Sequence, residues 1–172
     1  MSQPQLESGA SHTSKEATMT YQIRAANAAD VDEILSLFPR LAAFKIPDKR
    51  AAEDLWRGDA ELLRLWAAGQ APACLVQVAI GKDGSILGAA IAQMREELLS
   101  HAPSAHLEVL VVRDDAEGRG IGYALVQAAE QAVRERGALS MTLHVFASNT
   151  RARAVYERLG FEGELIRYIK HF

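Results

Sequence analysis

The run from Leu107 to Val126, LEVLVVRDDAEGRGIGYALV, limits what this chain can fold into more than any other stretch. His106 to Val112 (HLEVLVV) is the most strand-like segment of the sequence. A polar turn, Arg113 to Glu117, leads into Gly118-Arg119-Gly120-Ile121-Gly122. A long helix should follow, with Ile121, Leu125, Ala128, Ala129, Ala132 and Val133 on one face. Gly137 is placed to close it as a left-handed cap. The N–H groups that open such a helix are unpaired and carry the positive end of its dipole. Glycines let an anion approach them, so this turn reads as a phosphate or diphosphate site. The alternative reading is a tight strand-to-helix turn that holds nothing. A Walker loop is excluded, because Gly120 is followed by Ile121 and Gly122 rather than Lys and Ser or Thr. A dinucleotide fingerprint is excluded as well, since Tyr123 or Leu125 stands where its third glycine would fall.

Around this unit the hydrophobic pattern predicts both strands and helices. Tyr21 to Arg24 alternates like a half-buried strand, and Asn27 with Asp30 three residues on opens a helix carrying Val31, Ile34, Leu35 and Phe38. Pro39 should end or kink it. A second helical region is expected from about Asp48, interrupted at Gly58-Asp59, where Asp59 would cap a short helix bearing Leu62, Leu63 and Trp66. Cys74 to Ile80 and Ile86 to Met94 read as hairpin partners around the turn Lys82 to Ser85, and Arg95 to Ala105 as a loop or frayed strand end. Met141 to Phe146 reads as a strand, Asn149 to Leu159 as a helix ended by Gly160, and Phe161 with Leu165 to Phe172 as the completion of the sheet. Strands and helices that mix without regular alternation point to an α+β or mixed-sheet α/β domain.

Composition bounds the function. The chain has 172 residues, 49% of them apolar, enough for one domain with a sizeable core. A net charge of −3 with no basic stripe argues against a nucleic-acid partner. The single Cys74 allows no intrachain disulfide, and its apolar setting reads as a buried structural thiol. The five His residues show no ligand spacing with carboxylates, so no metal is expected. No apolar run is long enough for a membrane span, and residues 1–18 lack the apolar core of a secretory signal; a cytoplasmic protein is expected. Residues 1–18, rich in Ser, Thr, Gln and Glu, read as a disordered arm before a domain over 19–172, with Met19 an alternative start.

Two motifs carry a resemblance. Glu117-Gly118-Arg119-Gly120-Ile121-Gly122 is similar to the Gln/Arg-x-x-Gly-x-Gly/Ala motif of the GNAT family of N-acetyltransferases. Asn149 to Phe161, NTRARAVYERLGF, resembles that family's Asn-x-x-Ala-x-x-x-Tyr-x-x-x-Gly-Phe helix. Their order and spacing match, as does element order from Tyr21 to Phe172. The resemblance implies the acyl-CoA N-acyltransferase fold, a mixed, mostly antiparallel central sheet flanked by helices on both faces. The one departure is Glu117, which stands where the family has Gln or Arg. A carboxylate beside a diphosphate is unfavourable, so Glu117 should face solvent or pair with an arginine, with Arg119 supplying positive charge.

The resemblance further implies that acetyl-CoA is the cosubstrate and a primary amine the acceptor, by direct attack in a ternary complex. The pantetheine arm would pair with backbone at Leu110, Val111 and Val112, where a free N–H can stabilise an oxyanion. Gly118, Gly120 and Gly122, with Ile121 between, would hold the diphosphate, and Asn149 the pantetheine or a water, a plain N-cap being the other reading. Tyr156 would protonate the departing thiolate, against a reading as a core tyrosine. Glu108 would act as general base, on the same side of its strand as Leu110 and Val112 if alternation is strict; His106 or water are the alternatives, and a bulge would change the facing. Phe44, Trp56 and Trp66, and the loop residues Arg95, Glu96, Glu97 and His101, are candidates for acceptor contacts. A homodimer is common in such proteins. A catalytically silent acyl-CoA-binding regulatory module is the competing function, kept open by Glu117; O-acyl transfer or a longer acyl donor is a third.

Overall fold

In the computed structural model, which describes residues 21–172, the chain leaves β1 (Tyr21–Ala25) through a capping box. Asn27 Oδ1 accepts the Ala29 N–H at 2.9 Å while Asp30 Oδ2 accepts the Asn27 N–H at 2.8 Å. Arg24 grips the same Asp30 carboxylate with both terminal nitrogens, at 2.7 and 2.9 Å, so the box is locked to β1. It opens α1 (Val31–Leu37), which tightens at Pro39 into a 3-10 turn over Phe38–Ala42. The expected arm over residues 1–18, and Met19, lie outside the described residues.

The second helical region starts later than its composition suggested. Ala52–Leu55 makes only a 3-10 turn, and α2 runs from Arg57 to Ala67 with Trp56 at its N-cap. Gly58 and Asp59 therefore do not interrupt the helix; they occupy its first turn. A glycine there forfeits no intrahelical N–H bond, and a carboxylate is favoured by the helix dipole.

The strands β2 (Cys74–Gly81), β3 (Ile86–Glu96), β4 (Pro103–Val112) and β5 (Ser140–Leu143) join β1 in a sheet of order β1-β2-β3-β4-β5. The first four are antiparallel, and β5 lies parallel to β4. The crossover between them is α3 (Ile121–Glu135), closed by Gly137 at φ +91° as expected, and α4 (Thr150–Arg158) follows β5. β4 begins at Pro103 rather than at His106, because the polar Ser104 has partners there: its hydroxyl lies 2.8 Å from that of Ser140 on β5. On one face Ile34, Phe38 and Leu63 pack on Val76, Val78, Ile91, Val109 and Val111. On the other, Ile121, Leu125, Val126 and Ala129 pack on Ala79, Leu87, Ala90 and Leu107. The mixed, mostly antiparallel sheet with helices on both faces is thus the observed architecture.

Two expectations fail at the far edge. β5 stops at Leu143, so His144 to Phe146 leave the sheet. Leu165 to Phe172 form no strand, and Leu165, Ile166, Tyr168, Ile169 and Phe172 are exposed. Apolar residues at 165, 166, 168 and 169 do not alternate, so no strand register could bury them on one face. Phe161 instead packs edge-on against Tyr156, with ring centroids 5.9 Å apart.

A candidate active site where two strands part

β4 and β5 pair only from Ser104↔Ser140 to Leu107↔Leu143, and beyond that point they separate. The separation coincides with a bulge. On β3, Ile91 faces Val109 and the next residue, Ala92, faces Leu107, which leaves Glu108 as the extra residue. The bulge reverses the facing of the strand. Leu107 before it and Leu110 and Val112 after it all pack on the α3 side, while Val109 and Val111 pack on the α2 side. Glu108 therefore does not share a side with Leu110 and Val112, as strict alternation would have it. Its charge is felt by Asp59 of α2 and by Cys74, both on the α2 side.

The same geometry opens the β4 backbone. Arg113 donates its N–H to Leu87 O at 2.7 Å, so the peptide groups of Arg113 and Val111 face β3. Those of Val112 and Leu110 then face the gap left by β5. Arg40 Nε takes Val112 O at 2.8 Å, leaving the Val112 N–H and both polar groups of Leu110 turned toward the gap. Of the three residues named from sequence, Leu110 and Val112 can offer backbone bonds, whereas Val111 contributes only as lining. The gap widens into a cavity of about 220 Å³ lined by Arg40, Phe44, Leu55, Asp59, Glu108, Leu110, Val111, Val112, Glu117, His144, Phe146, Asn149 and Tyr156, among others.

The glycine turn forms a shelf beside this cavity. Gly118 and Gly120 sit at φ +74° and +77°, a region where a Cβ is strained, and Gly120 is the N-cap of α3. Ile121 is 1% exposed and reaches into the core, so it can offer a ligand only its backbone. Gly122 lies against β4: a Cβ there would sit 3.7 Å from Val112 Cγ2. Gly118 to Gly122 do not line the cavity itself, but they join it through Glu117. Glu117 bonds Arg40 Nη2 at 2.7 Å and is paired with Arg151 of α4, and Arg151 chiefly holds its carboxyl below the usual range. The carboxylate that departs from the motif is thus neutralised by two guanidiniums. Arg119 adds positive charge that is felt by Asp115. An open strand edge, a cleft, and a helix N-terminus with arginines at its mouth fit a long ligand with an anionic head.

The chemistry-bearing side chains converge on the other end of the cavity. Tyr156 is half-buried, and burial pushes its phenol up to about 12, so the hydroxyl stays protonated. Asn149 caps α4 by accepting the Ala152 N–H at 3.2 Å, and its amide still lines the cavity. Glu108 is raised by burial, with Arg95, 3.8 Å away, and His144 pulling it back. His106 is 3% exposed and pushed down to about 3 by burial, which makes it a neutral imidazole and a poor base. Its Nδ1 lies 2.7 Å from Thr142 Oγ1, its ring centroid 4.5 Å from that of His144 and its Nε2 4.0 Å from Glu108. Burial pushes the Cys74 thiol up to about 11, as an inert core thiol requires.

Of the acceptor candidates, Phe44 lines the cavity and lies against Phe146, the rings tilted with centroids 5.4 Å apart, while Trp56 and Trp66 are half-buried against the core. Arg95 reaches the site through Glu108; Glu96 pairs with His101, and Glu97 accepts from Leu99 and Ser100. Sequence reading missed Asp59, Arg40 and His144. Asp59 reads locally as a helix cap, and Arg40 lies 77 residues from the Glu117 it neutralises. Only the tertiary fold brings either to the cavity.

The chain matches the sequence pattern of the Acetyltransferase (GNAT) family over residues 32–161. A mycothiol acetyltransferase from Beutenbergia cavernae is 43% identical over 60 residues, which is 35% of this chain and 20% of that protein; the chain thus spans about a fifth of the relative it matches. Among solved structures, a ribosomal-protein-alanine N-acetyltransferase from Brucella melitensis superposes with a TM-score of 0.64 at 21% identity, over 88% of this chain and 99% of that one. A glucosamine-6-phosphate N-acetyltransferase from Arabidopsis thaliana superposes at 0.63 with 18% identity, over 89% and 99%. At these identities the structural likeness speaks for the fold.

Proposed function

Since the chain belongs to the GNAT family of acetyltransferases, we propose that it moves an acetyl group from acetyl-CoA directly to a primary amine, with both bound at the parting of β4 and β5. One observation carries this reading: the open backbone of Leu110 and Val112 lines the same cavity as Tyr156 and Glu108, where β4 and β5 have parted, next to the glycine shelf. Acetyl-CoA would supply a thioester whose carbonyl is open to an amine. Gly118, Gly120 and Gly122 would hold its diphosphate by their N–H groups at the start of α3. Leu110 and Val112 would align the pantetheine arm as an added strand, and one of their N–H groups would polarise the carbonyl.

Glu108 is the base in this scheme, taking the proton that an arriving ammonium must lose, directly or through a water. Tyr156 donates its hydroxyl proton to the departing sulfur, which leaves as the CoA thiol. A phenol near 12 is a weak acid in water, but a thiolate in the same dry setting is also made more basic, which narrows the difference. The competing reading, a silent acyl-CoA-binding module, rested on the charge of Glu117. The pairing of that carboxylate with Arg40 and Arg151 supports the enzyme reading over it.

Thermal unfolding with saturating acetyl-CoA, with NADH as control, tests the donor. Ligand at a hundred times its Kd adds about 2.7 kcal/mol, a rise of several degrees for a domain of this size. A rise with acetyl-CoA and none with NADH supports the reading; no rise with acetyl-CoA overturns it. No described helix is long and apolar enough to cross a membrane.

A further inference from the structure

Two carboxylates from different elements line the cavity close enough to feel each other, Asp59 from the first turn of α2 and Glu108 from the bulge in β4. They are not equivalent. Glu108 has Arg95 at 3.8 Å and the imidazoles of His106 and His144 nearby. The Asp59 carboxylate has no hydrogen bond or ion pair among the described residues, although it is half-buried and Glu108 repels it. A half-buried carboxylate facing another in a cavity is costly unless a cation joins them. Arg40, which also lines the cavity, cannot do so, because it is committed to Val112 O, Asp114 and Glu117. Part of the lining is apolar: the tilted ring pair of Phe44 and Phe146, and Leu55.

We propose that Asp59 and Glu108 form a seat for the ammonium group of the acceptor, which makes Asp59 a specificity-determining residue for cationic amines with no carboxylate next to the reacting nitrogen. The proposal rests on the acetyl-transfer reading of the same cavity and adds the chemical class of the acceptor. An amine arrives at neutral pH as an ammonium, and two carboxylates hold it better than one. An α-amino acid would bring its own carboxylate beside Asp59, where like charges repel at low effective dielectric. The aromatic pair then takes the apolar body of the amine. Selection is therefore by a repulsive element as much as by an attractive one.

Matched probes test this by calorimetry on the full chain saturated with CoA: 2-phenylethylamine against L-phenylalanine, and 3-methylbutylamine against L-leucine. Each pair differs by one carboxylate. The amine of each pair should bind about tenfold tighter or more, Asp59→Asn should weaken the amines about tenfold while changing the amino acids little, and Asp59→Glu should restore the preference. Thermal unfolding of the two variants with acetyl-CoA, expected to match the parent shift, separates loss of the seat from loss of the fold. Equal binding within the pairs, unchanged selectivity in Asp59→Asn, or no binding of either amine overturns the proposal. Selective amine binding in a chain that acetyl-CoA does not stabilise would instead overturn the acetyl-transfer reading and leave the seat standing.

Discussion

The hydroxyl of Tyr156 and the carboxyl of Asp59 are both shifted upward by burial, yet the consequences are opposite in kind. For Tyr156 the shift keeps a proton in place through the neutral range, which suits a donor to sulfur. Tyr156→Phe should therefore lower kcat by about a hundredfold while leaving the Kd for acetyl-CoA within about twofold, as removal of a general acid does. Stopped-flow turnover beside calorimetry reads the two separately, and an unchanged kcat would take Tyr156 out of the mechanism. For Asp59 the shift to about 7 is a cost to the fold. Its pKa in the folded chain lies above the unfolded carboxyl value of 3.8, so the folded state holds the extra proton between those values. Stability contributed by that proton is complete below about pH 4 and is lost as pH rises through about 7. Asp59→Asn should thus leave stability unchanged at pH 4 and raise it by about 1 kcal/mol above pH 7, a figure reduced for the solvent that a half-buried group still sees. The groups facing Asp59 include Glu108, with Arg95, His144 and His106 around it, and Glu108 strengthens the trend. Denaturant unfolding of both proteins across pH 4–8 measures the difference; a gap that stays flat with pH contradicts the assignment. Neither shift is written in the sequence, where Tyr156 was legible as part of a motif and Asp59 only as a helix start.

Elements with a strong local signal fell where the pattern put them. β1, the Asn27–Asp30 capping box, the β2–β3 hairpin, α3 with its Gly137 closure, and α4 each depend on periodicity or a cap contained within the element. Those that failed depend on a distant partner. The start of β4 at Pro103 needs Ser140, the early end of β5 coincides with the Glu108 bulge, and the tail from Leu165 has no register to join. The glycine shelf belongs to the first kind, which is why its backbone conformation was legible. Gly120 can be tested there with two side chains of equal size, because Asn and Asp both tolerate the left-handed region. Gly120→Asp should weaken CoA binding by tenfold or more, and Gly120→Asn by much less, if the shelf receives a diphosphate. Both variants should fold, at a cost of about 1 kcal/mol for the positive φ. Calorimetric titration with CoA decides it, and equal affinity for the Asp variant and the parent would remove the shelf from the donor site.

At the scale of the whole molecule the candidate cleft and the core are one mechanical problem. The cleft exists because β4 follows β3 closely along its whole length while releasing β5 halfway, and the closeness to β3 depends on Gly88. A Cβ on Gly88 would lie 2.7 Å from Val111 O and 3.1 Å from Leu125 Cδ1, so it would meet a backbone on β4 and the buried face of α3 at once. The backbone cannot yield as a flexible side chain can. The sequence showed Gly88 only as a small residue within an apolar strand, since nothing local tells a tolerated glycine from an obligatory one. Its partner Val112 contributes the open N–H of the proposed donor site and the carbonyl held by Arg40. Gly88→Ala should therefore cost about 1–3 kcal/mol as overpacking, or some 3–9 °C in Tm for a domain of this size. The more telling effect is on function: pushing Val112 away from β3 moves the backbone that would align acetyl-CoA, so stabilisation by that ligand should shrink as well. A variant of Leu125 alone, Leu125→Ala, removes core contacts from α3 without touching the β3–β4 approach. It should lower Tm by a comparable or larger amount while keeping most of the acetyl-CoA shift. Thermal unfolding of both variants with and without acetyl-CoA separates a loss of stability from a loss of cleft geometry. If the two lose the ligand shift in proportion to their stability, the cleft is no more sensitive to the β3–β4 spacing than the rest of the fold.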